Sequence, residues 1–130
     1  MLRNLAAGMT VLAAGAVLTG CSAQVGDPAE ITGVESLRDA YVSAGGTCED
    51  WEQHNEEILA AESGRCGEQT ELNFFDYPDS LELQLSTFDT WGATYLSGEN
   101  WTINTGEFVE DPDAGEAVAK KMGGQYSAGK

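Results

Sequence analysis

Apolar residues recur every three or four positions shortly after residue 30. They are Val34, Leu37, Tyr41 and Ala44. This spacing places them on one face of a helix, which we predict over residues 33–44. Thr32 and Glu35 have the spacing of a capping box at its start. Gly45 and Gly46 end the pattern.

A second helix is predicted over residues 79–90. Apolar side chains follow at helical spacing, at Leu81, Leu85, Phe88 and Trp91. Pro78 suits the first turn of such a helix. The alternation of Leu81, Leu83 and Leu85 is also typical of a strand, which leaves a strand as the alternative. The helix is favoured.

A third helix is predicted after Pro112 and Asp113, and a glycine pair ends it. Asp113 and Glu116 have the spacing of a capping pair. Together with Glu110 and Asp111 they form the best local cluster of carboxylates for a cation. Their spacing differs from that of an EF-hand loop, so helix capping is favoured over a calcium site.

Two β-hairpins are predicted between the helices. In the first, residues 56–63 pair with residues 70–77 across a turn-like break at 63–67. A loosely helical spacing before that break leaves a helix as the alternative. In the second hairpin, residues 93–97 pair with residues 101–105.

The order helix, hairpin, helix, hairpin, helix predicts an α+β fold. We expect a small antiparallel sheet of two hairpins with about three helices on one face. The chain has 130 residues, and residues 32–130 suit a single domain with one core.

The N-terminal segment has the pattern of an export signal. Arg3 gives it a positive start, and residues 5–18 carry no charge. This stretch fits the core of a signal peptide, about 7–15 residues, and is shorter than the roughly 20 residues that span a bilayer. We predict a signal peptide over residues 1–20.

The sequence Leu18-Thr19-Gly20-Cys21 resembles the lipobox of bacterial lipoproteins. The resemblance implies cleavage before Cys21 and acylation of that cysteine, with residues 21–31 as a lipidated tether. Two or three acyl chains would give stable anchoring. An ordinary secretory signal with a chance cysteine is the alternative. The whole chain is similar to small lipoproteins of high-GC Gram-positive bacteria, which implies an extracytoplasmic location at the outer face of the cytoplasmic membrane and no particular activity.

The three cysteines divide into one for lipid and one pair. If Cys21 carries lipid, Cys48 and Cys66 remain, and an oxidising compartment favours a disulfide between them. Two buried free thiols are the alternative. No Cys-x-x-Cys motif is present, which argues against a thioredoxin-like role.

The charge of the chain narrows the set of partners. Its formal net charge is −16 at pH 7. Repulsion from phosphates argues against a nucleic-acid partner. The same charge argues against a polybasic contact with anionic lipid. The membrane, through the lipid on Cys21, and an envelope protein or ligand of unknown identity are the expected partners.

The sequence offers few catalytic or metal-binding residues. His54 is the only histidine. It is a candidate general base or pH sensor beside Glu56, although a solvated histidine is favoured. We therefore predict no catalytic residue, no metal site and no cofactor. A carboxylate hydrolase is the minor alternative, with Glu57, Asp76 and Asp79 as further acids.

Aromatic residues are the remaining candidates for binding. Adjacent Phe74 and Phe75 should point to opposite faces of a strand. An exposed patch for a partner or glycan is therefore a hypothesis, with core packing as the alternative. Its residues are Phe74, Phe75, Tyr77 and Trp101.

These observations favour a non-enzymatic binding module in the cell envelope. The alternative is an inhibitor, an immunity factor or a superinfection-exclusion factor that acts at the membrane surface, and it rests on analogy.

Overall fold

A computed structural model describes residues 30–54 and 57–129. The predicted signal peptide, the lipobox residues Leu18, Thr19 and Gly20, the lipidation site Cys21 and the residue Glu56 lie outside the described residues.

The described residues form three helices and one six-stranded antiparallel sheet, which confirms the α+β class. The helices are α1 (Val34–Ala44), α2 (Pro78–Trp91) and α3 (Pro112–Lys121). The strands are β1 (Trp51–His54), β2 (Glu62–Cys66), β3 (Thr70–Phe74), β4 (Tyr95–Ser97), β5 (Trp101–Thr105) and β6 (Gln125–Ser127). Their order across the sheet is β1-β2-β3-β5-β4-β6.

Both predicted hairpins are present, but the first strand of the first hairpin covers Glu62–Cys66 and not residues 56–63. Strands β2 and β3 pair with Glu62 opposite Phe74 and Cys66 opposite Thr70. The turn therefore lies at residues 67–69 and not at 63–67. Gly64 belongs to the strand because the ring of Trp51 lies against it, where any side chain would collide. Strands β1 and β6, which the sequence did not predict, add one edge to each side.

Helix α1 begins with contacts other than the predicted capping box. The Ser36 hydroxyl accepts a hydrogen bond from the Thr32 backbone N–H at 2.9 Å. Glu62 of β2 accepts one from the Val34 N–H, also at 2.9 Å. The Thr32–Glu35 prediction was therefore wrong. The Ser36 hydroxyl and the Glu62 carboxylate accept the hydrogen bonds of the first N–H groups instead.

The starts of the other two helices follow local rules. Pro78 and Pro112 lie in the first turns of α2 and α3, as predicted. The N-cap of α3 is Asp111, whose side chain accepts from the Ala114 N–H at 3.3 Å. Asp113, the predicted cap, lies one position inside the helix, in its first turn.

The main core lies on one face of the sheet. Leu72, Leu96 and Ile103 are fully buried there and occupy neighbouring register positions on β3, β4 and β5. Helices α1 and α3 cover this face with apolar side chains that belong to the same cluster, among them Leu37, Tyr41, Val118 and Ala119. We call it the core face.

The disulfide between Cys48 and Cys66 is present, with a Sγ–Sγ distance of 2.05 Å. Cys66 ends β2 on the core face and Cys48 lies just before β1. The bond ties the edge strand and the segment before it to the second strand, as the sequence predicted.

Helix α2 lies on the opposite face of the sheet, so the helices cover both faces and not one. Its buried residues are Leu81, Gln84 and Phe88. The Phe88 ring packs on Tyr95 of β4, with ring centroids 5.0 Å apart. Tyr95 points away from the core face because its neighbour Leu96 points into it.

The packed domain begins one residue earlier than predicted. Ile31, which we assigned to the tether, is buried in the core cluster. The Asn100 side-chain amide donates a hydrogen bond to the Ile31 carbonyl at 3.1 Å. The start of the domain is therefore held beside the turn between β4 and β5.

Candidate binding cleft

The face of the sheet opposite the core carries mostly polar side chains. Strand alternation places every second residue on it. From the register, its members are Glu52, His54, Ser63, Arg65, Glu71, Asn73, Tyr95, Ser97, Thr102 and Asn104. We call it the polar face. A sheet face this polar beneath a helix is unusual, since covered faces normally consist of apolar residues.

A buried hydrogen-bond network crosses the centre of the polar face. The Ser63 hydroxyl donates to Asn73 Oδ1 at 2.9 Å. Asn73 Nδ2 donates to the Thr102 hydroxyl at 3.4 Å. All three side chains are buried. Because each has a partner, the network holds the middle of three strands in a fixed arrangement.

Charged residues lie beside this network. His54 Nε2 is 3.7 Å from Glu71 Oε2, and Arg65 is the register partner of Glu71 on the neighbouring strand. The predicted site at His54 placed it beside Glu56, which lies outside the described residues; the structure brings His54 next to Glu71. The carboxylate of Glu71 therefore lies beside the imidazole of His54 and pairs in register with Arg65.

A cleft of about 380 Å³ lies between the polar face, α2 and the segment after β1. Its floor consists of Glu71, Asn73 and Asn104 from the two central strands. One wall is formed by α2 and the other by residues 57–59. The wall residues are Gln84, Thr87, Phe88 and Trp91, and Glu57, Ile58 and Leu59. This volume is within the range of small-molecule sites, roughly 300–1,000 Å³.

Two large apolar side chains at the cleft are exposed. Trp91 has 77% of its surface exposed, and Ile58 on the other wall has 96%. An exposed tryptophan beside polar groups is typical of recognition surfaces. The sequence-based site prediction did not include Trp91, because its spacing fits the buried face of α2. Trp91 is the last residue of that helix and is exposed.

Gln84 also lines the cleft, but unlike Trp91 and Ile58 it is mostly buried. It is 7% exposed, yet no hydrogen bond joins its side-chain amide to another residue within the described ranges. Its neighbour one turn on, Phe88, is packed against Tyr95. The amide atoms of Gln84 are not shut off from solvent, so this side chain has hydrogen-bonding capacity that is open to the cleft.

The predicted aromatic patch does not form. Phe74, Phe75 and Trp101 are 9%, 3% and 2% exposed. They are buried because helices cover both faces of the sheet, so neither of two adjacent strand residues has to face solvent. Tyr77 alone is exposed, at 70%, and it precedes α2 at the opposite end from Trp91.

A second cavity, of about 350 Å³, is lined by several acids, one of which, Glu107, has a structural role. Its acidic residues are Glu49, Asp50, Glu68 and Glu107. Glu107 accepts hydrogen bonds from the Tyr41 hydroxyl at 2.7 Å and the Thr47 N–H at 3.1 Å. Burial and this bond raise the pKa of Tyr41 well above its ordinary value. Glu107 thus fixes α1 and the loop after it.

The other predicted carboxylates do not converge. Glu57 lines the cleft, whereas Asp76 and Asp79 are exposed near the start of α2. Asp111 caps α3. Across residues 30–54 and 57–129, no group of three or more His, Cys, Asp or Glu side chains is arranged to hold a metal ion.

No protein-family model, curated protein or solved structure matches the chain. Among the described helices, none combines the length and the apolar composition that crossing a membrane requires.

Proposed function

We propose that this chain is a lipid-anchored binding module of the bacterial cell envelope, and that the cleft between α2 and the polar face holds its ligand. The observation that carries the proposal is the pairing of exposed Trp91 and Ile58 across a floor of polar side chains. Concave sites with apolar walls and a few polar groups are the usual form of ligand sites.

The composition of the cleft supports binding more than catalysis. Of the acids considered for a hydrolase, only Glu57 lines it, and the other acid there, Glu71, lies beside His54. Amides and aliphatic groups make up most of the remaining lining. Such groups orient a ligand but supply no nucleophile.

The anchor is supported by the resemblance of residues 18–21 to a lipobox. A buried disulfide in the domain agrees with an oxidising compartment. Ile31 belongs to the core cluster, and about ten residues would separate the acylated cysteine from this packed position. A tether of this length would hold the cleft close to the membrane surface.

The anchor is tested by the intact mass of the protein from membranes of its source. We expect cleavage before Cys21 and the added mass of two or three acyl chains. A matched Cys21→Ala chain should lose the acyl mass and leave the membrane fraction. A native chain without acyl groups, released from the membrane, would overturn the anchor.

The cleft is tested by photo-crosslinking in intact cells. A photoreactive residue is placed at Ile58 or Trp91, and at Val42 or Val109 as controls. The controls are also exposed apolar residues, but they do not line the cleft. Discrete adducts from both cleft positions and none from the controls are expected. Equal labelling at all four positions, or labelling at none, would contradict the proposal.

A further inference from the structure

We infer that the cleft binds an uncharged saccharide, which stacks on the Trp91 ring and hydrogen-bonds to the Gln84 amide. This inference rests on the proposed function, since it names the class of ligand for the same cleft. It depends on three features: an amide that opens onto the cleft, an exposed aromatic ring, and the charges around the floor.

The amide of Gln84 is the first feature. It offers one acceptor and two donor hydrogens, and it bonds to no other described residue. The residue as a whole is only 7% exposed, but neither amide atom is shut off from solvent. The amide therefore reaches the open space of the cleft. A ligand with adjacent hydroxyl groups would satisfy both ends of the amide.

The amide of Asn104 lies on the floor of the same cleft. It occupies the register position between Glu71 on β3 and Tyr95 on β4. Planar amides and carboxylates bind vicinal hydroxyls through two hydrogen bonds at once. The floor and the α2 wall therefore offer several such groups within a single cavity.

The second feature is Trp91, on the same wall as Gln84. The two residues are seven positions apart, or about two helical turns, so they lie on one side of α2. A pyranose ring has an apolar face of C–H groups and a rim of hydroxyls. The α2 wall combines the same two kinds of group. The exposed indole of Trp91 lies at one end, and the amide of Gln84 lies further in.

The third feature is charge. The chain carries −16 overall, and Glu57 and Glu71 line the cleft, so an anionic ligand would be repelled. A cationic ligand would compete for Glu71 with Arg65, its register partner on the neighbouring strand. An uncharged ligand avoids both costs.

The test uses the ¹⁵N-labelled protein in detergent micelles, with its indole and side-chain amide resonances followed by NMR. The probes are chitotriose and maltotriose, with trigalacturonate as an anionic comparison. We expect a neutral trisaccharide to shift the Trp91 indole and the Gln84 amide saturably. The indoles of Trp51 and Trp101 should not move, since neither lines the cleft.

Three variants separate binding from folding. Trp91→Ala should lower the affinity about tenfold or more, since an aromatic contact is lost. Gln84→Leu should lower it about fivefold and leave the melting temperature nearly unchanged, since the amide bonds to no other described residue. Tyr77→Ala removes a similarly exposed aromatic at the other end of α2. That control should change the affinity less than twofold.

The outcomes distinguish the two proposals. If no neutral sugar shifts the Trp91 indole while crosslinks from Ile58 and Trp91 persist, the saccharide inference is wrong and the binding module stands. A crosslinked polypeptide at those positions would overturn the saccharide in the same way. Loss of specific crosslinks would overturn the module itself. Tighter binding of trigalacturonate than of the neutral sugars would contradict the charge argument.

Discussion

The two faces of the sheet are formed by the same strands but have different roles. On the core face, Leu72 and Ile103 are fully buried beneath two helices and belong to one apolar cluster. On the polar face, their neighbours Asn73 and Asn104 line a cleft beneath a single helix. The core face stabilises the fold by apolar packing, and the polar face combines a buried hydrogen-bond network with side chains that line the cleft.

The difference lies in how each helix is held. Helix α1 contributes four buried apolar residues to the main cluster, and α3 contributes two. Helix α2 buries Leu81, Gln84 and Phe88, none of which belongs to that cluster. An element packed outside the main core can open at a lower free energy than the core itself. The comparison therefore predicts that stability depends on the core face and recognition on the polar face.

The largest expected effect is on the core face. Leu72→Ala should lower the free energy of unfolding by about 3–4 kcal/mol, since it leaves a cavity in a fully buried position. Glu52→Ala, an exposed position on the polar face, should change it by less than about 0.5 kcal/mol. Urea denaturation measures both. Similar losses for the two variants would remove the distinction between the faces.

The second effect concerns the disulfide at the edge of the core. The double change Cys48→Ser and Cys66→Ser should lower stability by about 3 kcal/mol, because the unfolded chain regains the freedom of the loop that the bond closes. Thermal unfolding of this variant, beside the wild type with and without reductant, measures the effect. Unchanged melting on reduction would show that strand pairing alone holds β1.

The third effect is a loss of stability at alkaline pH. Burial, and the hydrogen bond to Glu107, raise the pKa of the Tyr41 hydroxyl. Burial also raises the pKa of Tyr95 and Tyr126. A raised pKa means that the folded state holds the proton more tightly. This stabilisation is complete below the unfolded value of about 10 and is lost as pH rises through the folded value.

Denaturation measured from pH 8 to pH 11.5 should therefore show falling stability above about pH 10. Tyr41→Phe should cost about 1.5 kcal/mol at neutral pH, since its bond goes to a carboxylate. The same variant should flatten the alkaline decline. An equally steep decline in Tyr41→Phe would assign the effect to other groups.

The smallest expected effect is on the polar face. Trp91→Ala should change stability by less than about 0.5 kcal/mol, because the side chain is mostly exposed. Gln84→Leu should be neutral or stabilising by a few tenths of a kcal/mol. Differential scanning calorimetry resolves both. A marked loss in Gln84→Leu would mean that the amide supports the fold and is not reserved for a ligand.

Local signals explain the elements that sequence analysis identified. Proline and glycine fix the ends of α2, where Pro78 and Gly92 bound the helix. The same holds for α3, which begins at Pro112. The second hairpin followed from its turn residues. These features depend on residues a few positions apart, which is the range over which sequence patterns are informative.

Features set by distant contacts were missed. Strand β6 has three residues, and its sequence shows no alternation that marks a strand. The glycine at position 64 resembled a turn residue, but Trp51 packs against it in the sheet. The cap on α1 comes from Glu62, 28 positions away. None of these contacts leaves a trace in the neighbouring sequence.

The candidate site was missed for a related reason. Burial of Phe75 and Trp101 depends on which helices cover which face, and the sequence predicted helices on one face only. Trp101 is buried in the main cluster on the core face, Phe75 is buried outside that cluster, and Trp91 is exposed. The disulfide, in contrast, followed from the compartment that the export signal indicates and from the count of cysteines.

The two outermost strands have a consequence for crowding. Strand β1 has four residues and β6 has three, so each edge of the sheet offers few free backbone groups to another chain. Short edges hinder edge-to-edge addition and the aggregation that follows from it. Lipoproteins concentrated in the plane of a membrane meet one another far more often than molecules in solution. For a domain anchored at a membrane, short edge strands would therefore limit association between neighbouring molecules at high surface density.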